Sequence, residues 1–314
     1  MFVVGGESLV DLVSQPCIAG GEYVMHAHAG GSPYNCAIAL SKLGNSTGFL
    51  CPISKDGFGD FLMAPLQGAG VGALLGERVF TPTTLAVVTL NEKGQAQYEF
   101  YRGADRALDA DALIAALPDR IEVYQSGGFC PIEPDDAEIW LRVIAEAKRR
   151  GAIISIDPNI RPSLVDDFDA YKQRLDRFLD LANVVKVSVE DLEALNPDQS
   201  IVTQAEAMLE RPACKLVVVT DGEHGSKAFT QSARAEASIY SPPVFGDTVG
   251  AGDSLMAGIL TWLHDQNRLG DPEALSAQEL GAMLRFGAVV SGLNCGQKGC
   301  NPPSRAEVDA VLAG

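Results

Sequence analysis

Short β-branched runs alternate with amphipathic helical stretches through most of this chain, and no other feature restricts its possible folds as much. The strand-like runs are Phe2–Val4, Thr47–Pro52, Val123–Ser126, Ile153–Asp157, Val184–Val187 and Leu216–Thr220. Helical spacing falls between them, over Asn35–Lys42, Phe58–Gln67, Pro134–Arg149, Asp167–Leu181, Val189–Leu195 and Thr203–Leu209. The strand runs are apolar without interruption, as expected of strands covered on both faces, whereas the intervening segments are apolar at i, i+3 and i+4. The expected architecture is a doubly wound α/β fold around a mostly parallel sheet. At 314 residues the chain suits one large α/β domain or two smaller ones. It shows no internal repeat, low-complexity tract or linker, so residues 1–314 are read as one domain.

Two stretches depart from that rhythm. Residues 85–100 alternate polar and apolar around Asn91-Glu92-Lys93-Gly94, the pattern of a β-hairpin. Residues 12–29 are extended and lack helical spacing. Segments at about 12–29 and 81–104 are therefore expected to form a small projecting sheet, either a lid over a cleft or an edge for self-association.

Composition excludes several classes. No apolar run approaches the ~20 residues of a membrane-spanning helix, and Met1–Glu7 lacks the basic start of a signal peptide. Seven scattered cysteines, with no C-x-x-C pair, fit reduced thiols in a cytoplasmic protein better than a disulfide frame or a zinc site. A net charge of −17 argues against nucleic acid and anionic membranes as partners. Such a chain, if it binds a polyanion, must rely on backbone N–H groups and a divalent cation more than on a basic patch.

One segment is suited to that task. Asp247-Thr248-Val249-Gly250-Ala251-Gly252-Asp253-Ser254 leads into a helical pattern at Leu255, Met256, Ile259, Leu260 and Leu263. Gly250 and Gly252 leave backbone amides unobstructed. The helix behind contributes four orphan N–H groups and roughly +0.5 of charge at its start. The result is an anion site with Asp253 beside it as a proton acceptor. The plainer reading is an Asp-capped turn, but a cap requires neither two glycines nor a second carboxylate at Asp247.

Other strand ends carry candidates. Thr220, Gly222 and Gly225 follow Leu216–Val219, at the carboxyl end of a strand where ligands of open α/β sheets bind. Gly30, Gly31 and Asn35 open an apolar helix and supply the mixed donors and acceptors that hydroxyl groups need. Asp11 follows the first strand and can accept from vicinal hydroxyls. Arg161, between two prolines, is a planar cation suited to phosphate. Each also has an ordinary reading as a turn, a helix start or a solvated surface charge. There is no G-x-x-x-x-G-K-[ST], no complete G-x-G-x-x-G after a strand and no G-x-S-x-G. His26 and His28 share one face of an extended segment without a third ligand nearby, so hydrogen bonding or lid packing is expected of them.

These motifs, in this order and across nearly the whole chain, resemble the ribokinase-like (PfkB-type) carbohydrate kinases. The resemblance implies a doubly wound core with a β lid, ATP as donor, Mg²⁺ as cofactor and a homodimer built through the lid. By position, it implies Asp253 as general base and Gly250, Ala251 and Gly252 as the anion hole, assisted by Arg161. Asp11, Gly30, Gly31, Asn35 and Arg102 fall on the sugar side. Thr220, Gly222, Gly225, Lys186 and Gly299 fall on the nucleotide side. The segment 295–300 resembles a closing loop near adenine, where several members bind a monovalent cation such as K⁺. Where relatives carry Asn-x-x-Glu for Mg²⁺, this chain has Ser188-Val189-Glu190-Asp191, which leaves Asp191 and Glu190 as alternatives. Gly-Gly-Ser-Pro-Tyr-Asn, Asp-Pro-Asn-Ile-Arg-Pro and Phe100–Asp105 resemble fructokinases, implying conversion of fructose to fructose 6-phosphate. A 2-keto-3-deoxygluconate kinase, with Arg102 or Arg106 for the substrate carboxylate, another sugar or nucleoside kinase, and a noncatalytic sugar or nucleotide sensor stay open.

Overall fold

Strands that are apolar at every position must be covered on both sides, and the fold satisfies this with helices on each face of one sheet. The computed structural model describes residues 1–14, 24–90 and 96–314, with the side chains of 90 and 96–98 left aside. In chain order the first part comprises β1 (Phe2–Gly5), β2 (Leu9–Ser14), β3 (Met25–Gly30), α1 (Ser32–Lys42), β4 (Thr47–Leu50), α2 (Gly57–Gly68), β5 (Gly72–Ala73), β6 (Leu85–Leu90) and β7 (Ala96–Tyr101). Next come α3 (Ala110–Ala116), β8 (Val123–Gly127), α4 (Pro134–Arg149), β9 (Ile153–Asp157), α5 (Phe168–Leu179), β10 (Val184–Ser188), α6 (Val189–Leu195) and α7 (Ile201–Leu209). The remainder is β11 (Leu216–Thr220), β12 (Ser226–Phe229), β13 (Arg234–Ala237), α8 (Ala251–Asp265), α9 (Ala277–Cys295) and α10 (Arg305–Ala313).

Among the described residues the main sheet runs β13-β12-β11-β10-β9-β8-β1-β4-β5. It is parallel from β5 through β11, and β12 and β13 add an antiparallel edge. Side-chain alternation divides the core in two. Val3, Tyr124, Ile154, Val185 and Val217 face the side packed by Trp140, Ile144, Leu175 and Met208. Phe2, Val4, Val123, Val184 and Val218 face Leu40, Met256, Ile259 and Leu284. From β1 the chain moves to β4 and β5 on one side and later to β8, β9, β10 and β11 on the other. The carboxyl ends around β1 and β8 are therefore a switch point, the place where ligands of open α/β sheets bind.

The two departures from the α/β rhythm meet in a second sheet ordered β3-β2-β6-β7. β6 and β7 form the expected antiparallel pair, and β2 runs antiparallel to β3 and parallel to β6. The expected turn at 91–94 and part of the 12–29 segment lie outside the described residues. α1 starts three residues earlier than the spacing suggested, because Pro33 fits a first helical turn, where its missing N–H costs nothing. The short strands β12 and β13 and the helices α3, α9 and α10 carried no expectation. The capping boxes Ser276–Glu279 and Ser304–Glu307 were the local signals for α9 and α10.

Candidate active site

Asp253 lies in the first turn of α8, behind Gly250, whose φ of 74° and ψ of 9° put it in the left-handed region. One carboxylate oxygen accepts from Ser32 Oγ at 2.6 Å and the other from Asn35 Nδ2 at 2.9 Å. Both donors stand in the first turn of α1, so two helix N-termini converge on one carboxylate. Burial pushes the Asp253 carboxyl up to about 6; nearby Asp157 adds to this, while the two donated bonds and Lys186 oppose it. A carboxylate with that affinity for protons is ionised at neutral pH and basic enough to accept one.

The turn before α8 is held from behind. Asp247 accepts from the amides of Val249 and Gly299, at 2.9 and 2.8 Å. Asn294, fully buried in the last turn of α9, donates to Val249 O and accepts from Asn301 N. Ser291 Oγ donates to Ala251 O at 2.9 Å. A Cβ at Gly250 would lie 2.4 Å from Cys300 Sγ, so glycine is required there by space as well as by φ. The amide of Ala251 already donates to Thr248 O. Those of Gly250 and Gly252 have no protein acceptor among the described residues. An anion at this turn is therefore met chiefly by the two glycine amides, and Ala251 serves to close the turn.

Beneath the turn, Lys186 Nζ bonds Asp157 at 2.8 Å, and both side chains are buried (6% and 3% exposed). Burial disfavours the ammonium, yet Asp157 and Asp191 outweigh it and hold the Lys186 pKa above its ordinary value. Burial raises that of Asp157, against the pull of Lys186. A Cβ at Gly252 would stand 2.9 Å from Nζ, which places the cation directly behind the amide turn. Lys186 thus lies directly beneath the amide turn, where its charge would favour an anion.

Asp191 is engaged by the backbone. It is buried, and its oxygens accept from Ile160 N at 2.7 Å and Ser188 N at 2.8 Å, completing a capping box with Ser188. Neighbouring Glu190 is exposed in the first turn of α6. Arg161 is exposed just beyond β9, its Nη1 donating to Ile160 O. Thr220 ends β11 beside Ser188, its hydroxyl 3.5 Å from Val187 O. Gly222 and Gly225 follow at φ 49° and 92°.

On the lid side, a Cβ at Gly30 would come within 2.5 Å of an Asp11 carboxylate oxygen, so that glycine makes room for the acid. Asp11 is half-buried, and burial raises its pKa to about 6. It pairs across the lid with His28. Gly31, at φ 110°, packs against the backbone of Glu7. Glu7 was not anticipated. Its buried carboxylate accepts from Ser32 N at 3.2 Å and Phe129 N at 3.0 Å, tying the start of α1 to the end of β8, and burial lifts its pKa to about 7. Arg102 pairs with buried Asp105 at 2.6 Å and lies over the Phe129 ring at 4.6 Å. Among the described residues no group of three or more His, Cys, Asp or Glu side chains is arranged to hold a metal ion.

A carboxylate between two helix mouths, unobstructed glycine amides at the turn and strand ends carrying Thr and Gly have the chemistry that moving a phosphoryl group onto a hydroxyl requires. The comparisons agree: residues 19–307 match the pfkB family carbohydrate kinases, and the chain belongs to that family of ATP-dependent sugar kinases. It is 33% identical to fructokinase-1 of Zea mays, with 98% of this chain and 96% of that protein aligned. It is 31% identical to a probable fructokinase-4 of Arabidopsis thaliana, covering 100% and 97%. Among solved structures, fructokinase from Xylella fastidiosa with bound ATP superimposes at a TM-score of 0.83, with 27% identity and 99% and 98% coverage. Ribokinase from Giardia lamblia, at 22% identity and a TM-score of 0.81, shares the fold.

Proposed function

We propose that this kinase phosphorylates fructose at its 6-hydroxyl. The observation that carries the reading is Asp253, held ionised between Ser32 and Asn35 beside the Gly250 and Gly252 amides. Asp253 takes the proton of the sugar hydroxyl as that oxygen attacks the γ-phosphorus. The bond to the β–γ bridging oxygen breaks, and ADP leaves with its electron pair. The two amides, backed by Lys186 and joined by Arg161, meet the charge on the transferred group. Asp11, Gly30, Gly31 and Asn35 form the sugar side. Thr220, Gly222, Gly225 and Gly299 line the nucleotide side. The sheet of β2, β3, β6 and β7 closes as a lid that excludes water, and it is the surface we assign to homodimer formation. Mg²⁺, when bound with ATP, neutralises phosphate charge. Exposed Glu190 suits its water shell, since Asp191 already accepts two backbone amides. K⁺ is assigned to the 295–300 loop that Asp247 anchors. The six described cysteines are free thiols, in keeping with a cytoplasmic setting, and no described helix is long and apolar enough to cross a membrane.

A neutral sugar is favoured over a sugar acid by the two lid-side arginines. Arg102 is paired with Asp105 and Asp136, and Arg106 with Asp136 and Glu133, so neither guanidinium is left for a substrate carboxylate. ADP release measured with fructose, 2-keto-3-deoxygluconate, ribose and a nucleoside tests the assignment. Fructose is expected to give the highest kcat/KM, and preference for the acid would overturn it.

A further inference from the structure

The Ser32 hydroxyl, in the first turn of α1, donates to Asp253 at 2.6 Å. Asn35 occupies the other oxygen, and its own Oδ1 is buried without a protein partner. Ser32 is only half-buried, and its backbone N–H is fixed by Glu7, so the side chain can rotate while the residue stays in place. A sugar hydroxyl approaching the base must donate to the carboxylate that Ser32 already occupies.

We propose that Ser32 is a positioning residue that stands in for the substrate hydroxyl: it holds Asp253 ionised and aimed in the empty site and yields that bond to the sugar on binding. This rests on Asp253 being the general base. An ionised acceptor gains from each donor only while charged, so losing one makes the carboxylate easier to protonate. The other ionisable groups around Asp253 are Asp157 and Lys186 below it, Cys36 on α1 and Cys300 on the C-terminal loop. Ser32→Ala removes no side-chain bond to any of these, and Glu7, raised to about 7 by burial, keeps its bond to the N–H of residue 32.

The readout is the acid limb of two pH profiles, since kcat/KM reports the free enzyme and kcat the substrate complex. For Ser32→Ala the midpoint of the kcat/KM limb is expected to rise by about one pH unit, the worth of one hydrogen bond to an ionised group. The midpoint of the kcat limb should stay within a few tenths, because the sugar hydroxyl has replaced the serine. Ser32→Thr, which keeps a hydroxyl, should restore the wild-type kcat/KM midpoint. An unmoved kcat/KM limb in a folded Ser32→Ala protein overturns the proposal, and so does an equal shift of both limbs. Asp253→Asn, measured in parallel, separates the two ideas. If that variant keeps wild-type turnover, the general base is wrong, whatever Ser32 does.

Discussion

Replacing Asp253 with Asn should make the protein more stable as it destroys turnover. The carboxyl moves from an ordinary 3.8 to about 6 in the folded chain, mainly through burial. Between those two pH values the folded state holds more protons than the unfolded one, so stability falls as pH climbs through the window. Above about pH 6 the full cost of keeping the charge buried is present, and below about 3.8 it is absent. About two pH units at 1.36 kcal/mol each gives an upper bound near 3 kcal/mol. Asp253 is only half-buried, so solvent screening reduces the expected gain to about 1–2 kcal/mol. An amide fits the same place, since Ser32 Oγ can accept from its Nδ2 while Asn35 Nδ2 goes on donating to its Oδ1. Urea unfolding at pH 7.5, 5 and 4 should show Asp253→Asn ahead of wild type at the first, less so at the second, and level at the third. Turnover should fall by roughly 10²–10⁴ with ATP binding retained. A variant less stable than wild type at pH 7.5, or a difference independent of pH, would refute the burial argument. Near-normal turnover would remove Asp253 from the mechanism.

Lys186→Met strands buried Asp157 without its cation and should cost about 3–5 kcal/mol by urea unfolding, with Asp157→Asn in the same chain recovering part of the loss. No recovery in the double variant would mean the pair does not act as a unit. Gly250→Ala meets both a left-handed backbone and Cys300 Sγ. Adding Cys300→Ala removes the Sγ contact but keeps the residue-300 Cβ at 2.9 Å, so the double variant should recover only part of the loss and stay at least about 1 kcal/mol below wild type through backbone strain, read by thermal unfolding. Asp11→Asn should raise the KM for fructose tenfold or more and leave the KM for ATP unchanged, and steady-state titration of each substrate would expose the opposite pattern.

Much of this was legible in the sequence because it is local. A run such as Leu216–Thr220 is apolar at every position only if both faces are covered, and the helical spacing beside it states what covers them. Period and run length therefore fixed the layers and the parallel sheet, and Gly250–Asp253 marked the helix mouth because glycine there answers to φ and space in its own turn. β12 and β13 gave no such signal, since Ser-Lys-Ala-Phe and Arg-Ala-Glu-Ala mix charged and small residues and hold no unbroken apolar run.

Which groups meet was decided by the tertiary structure. Ser32 and Asp253 are 221 positions apart, and nothing near either one announces the bond between them. The same holds for Lys186, which ends beneath the anion turn because β9 and β10 lie side by side under α8. Asp191, which the sequence offered beside Glu190 as a metal-side carboxylate, accepts from Ile160 N at 2.7 Å, a partner 31 positions away. Arg102, which the sequence offered on the sugar side, is set by the fold against Asp105 and over the Phe129 ring. Periodicity reports how each residue relates to its own helix or strand. The charge, reach and availability of a polar side chain depend on partners that only the closed fold supplies.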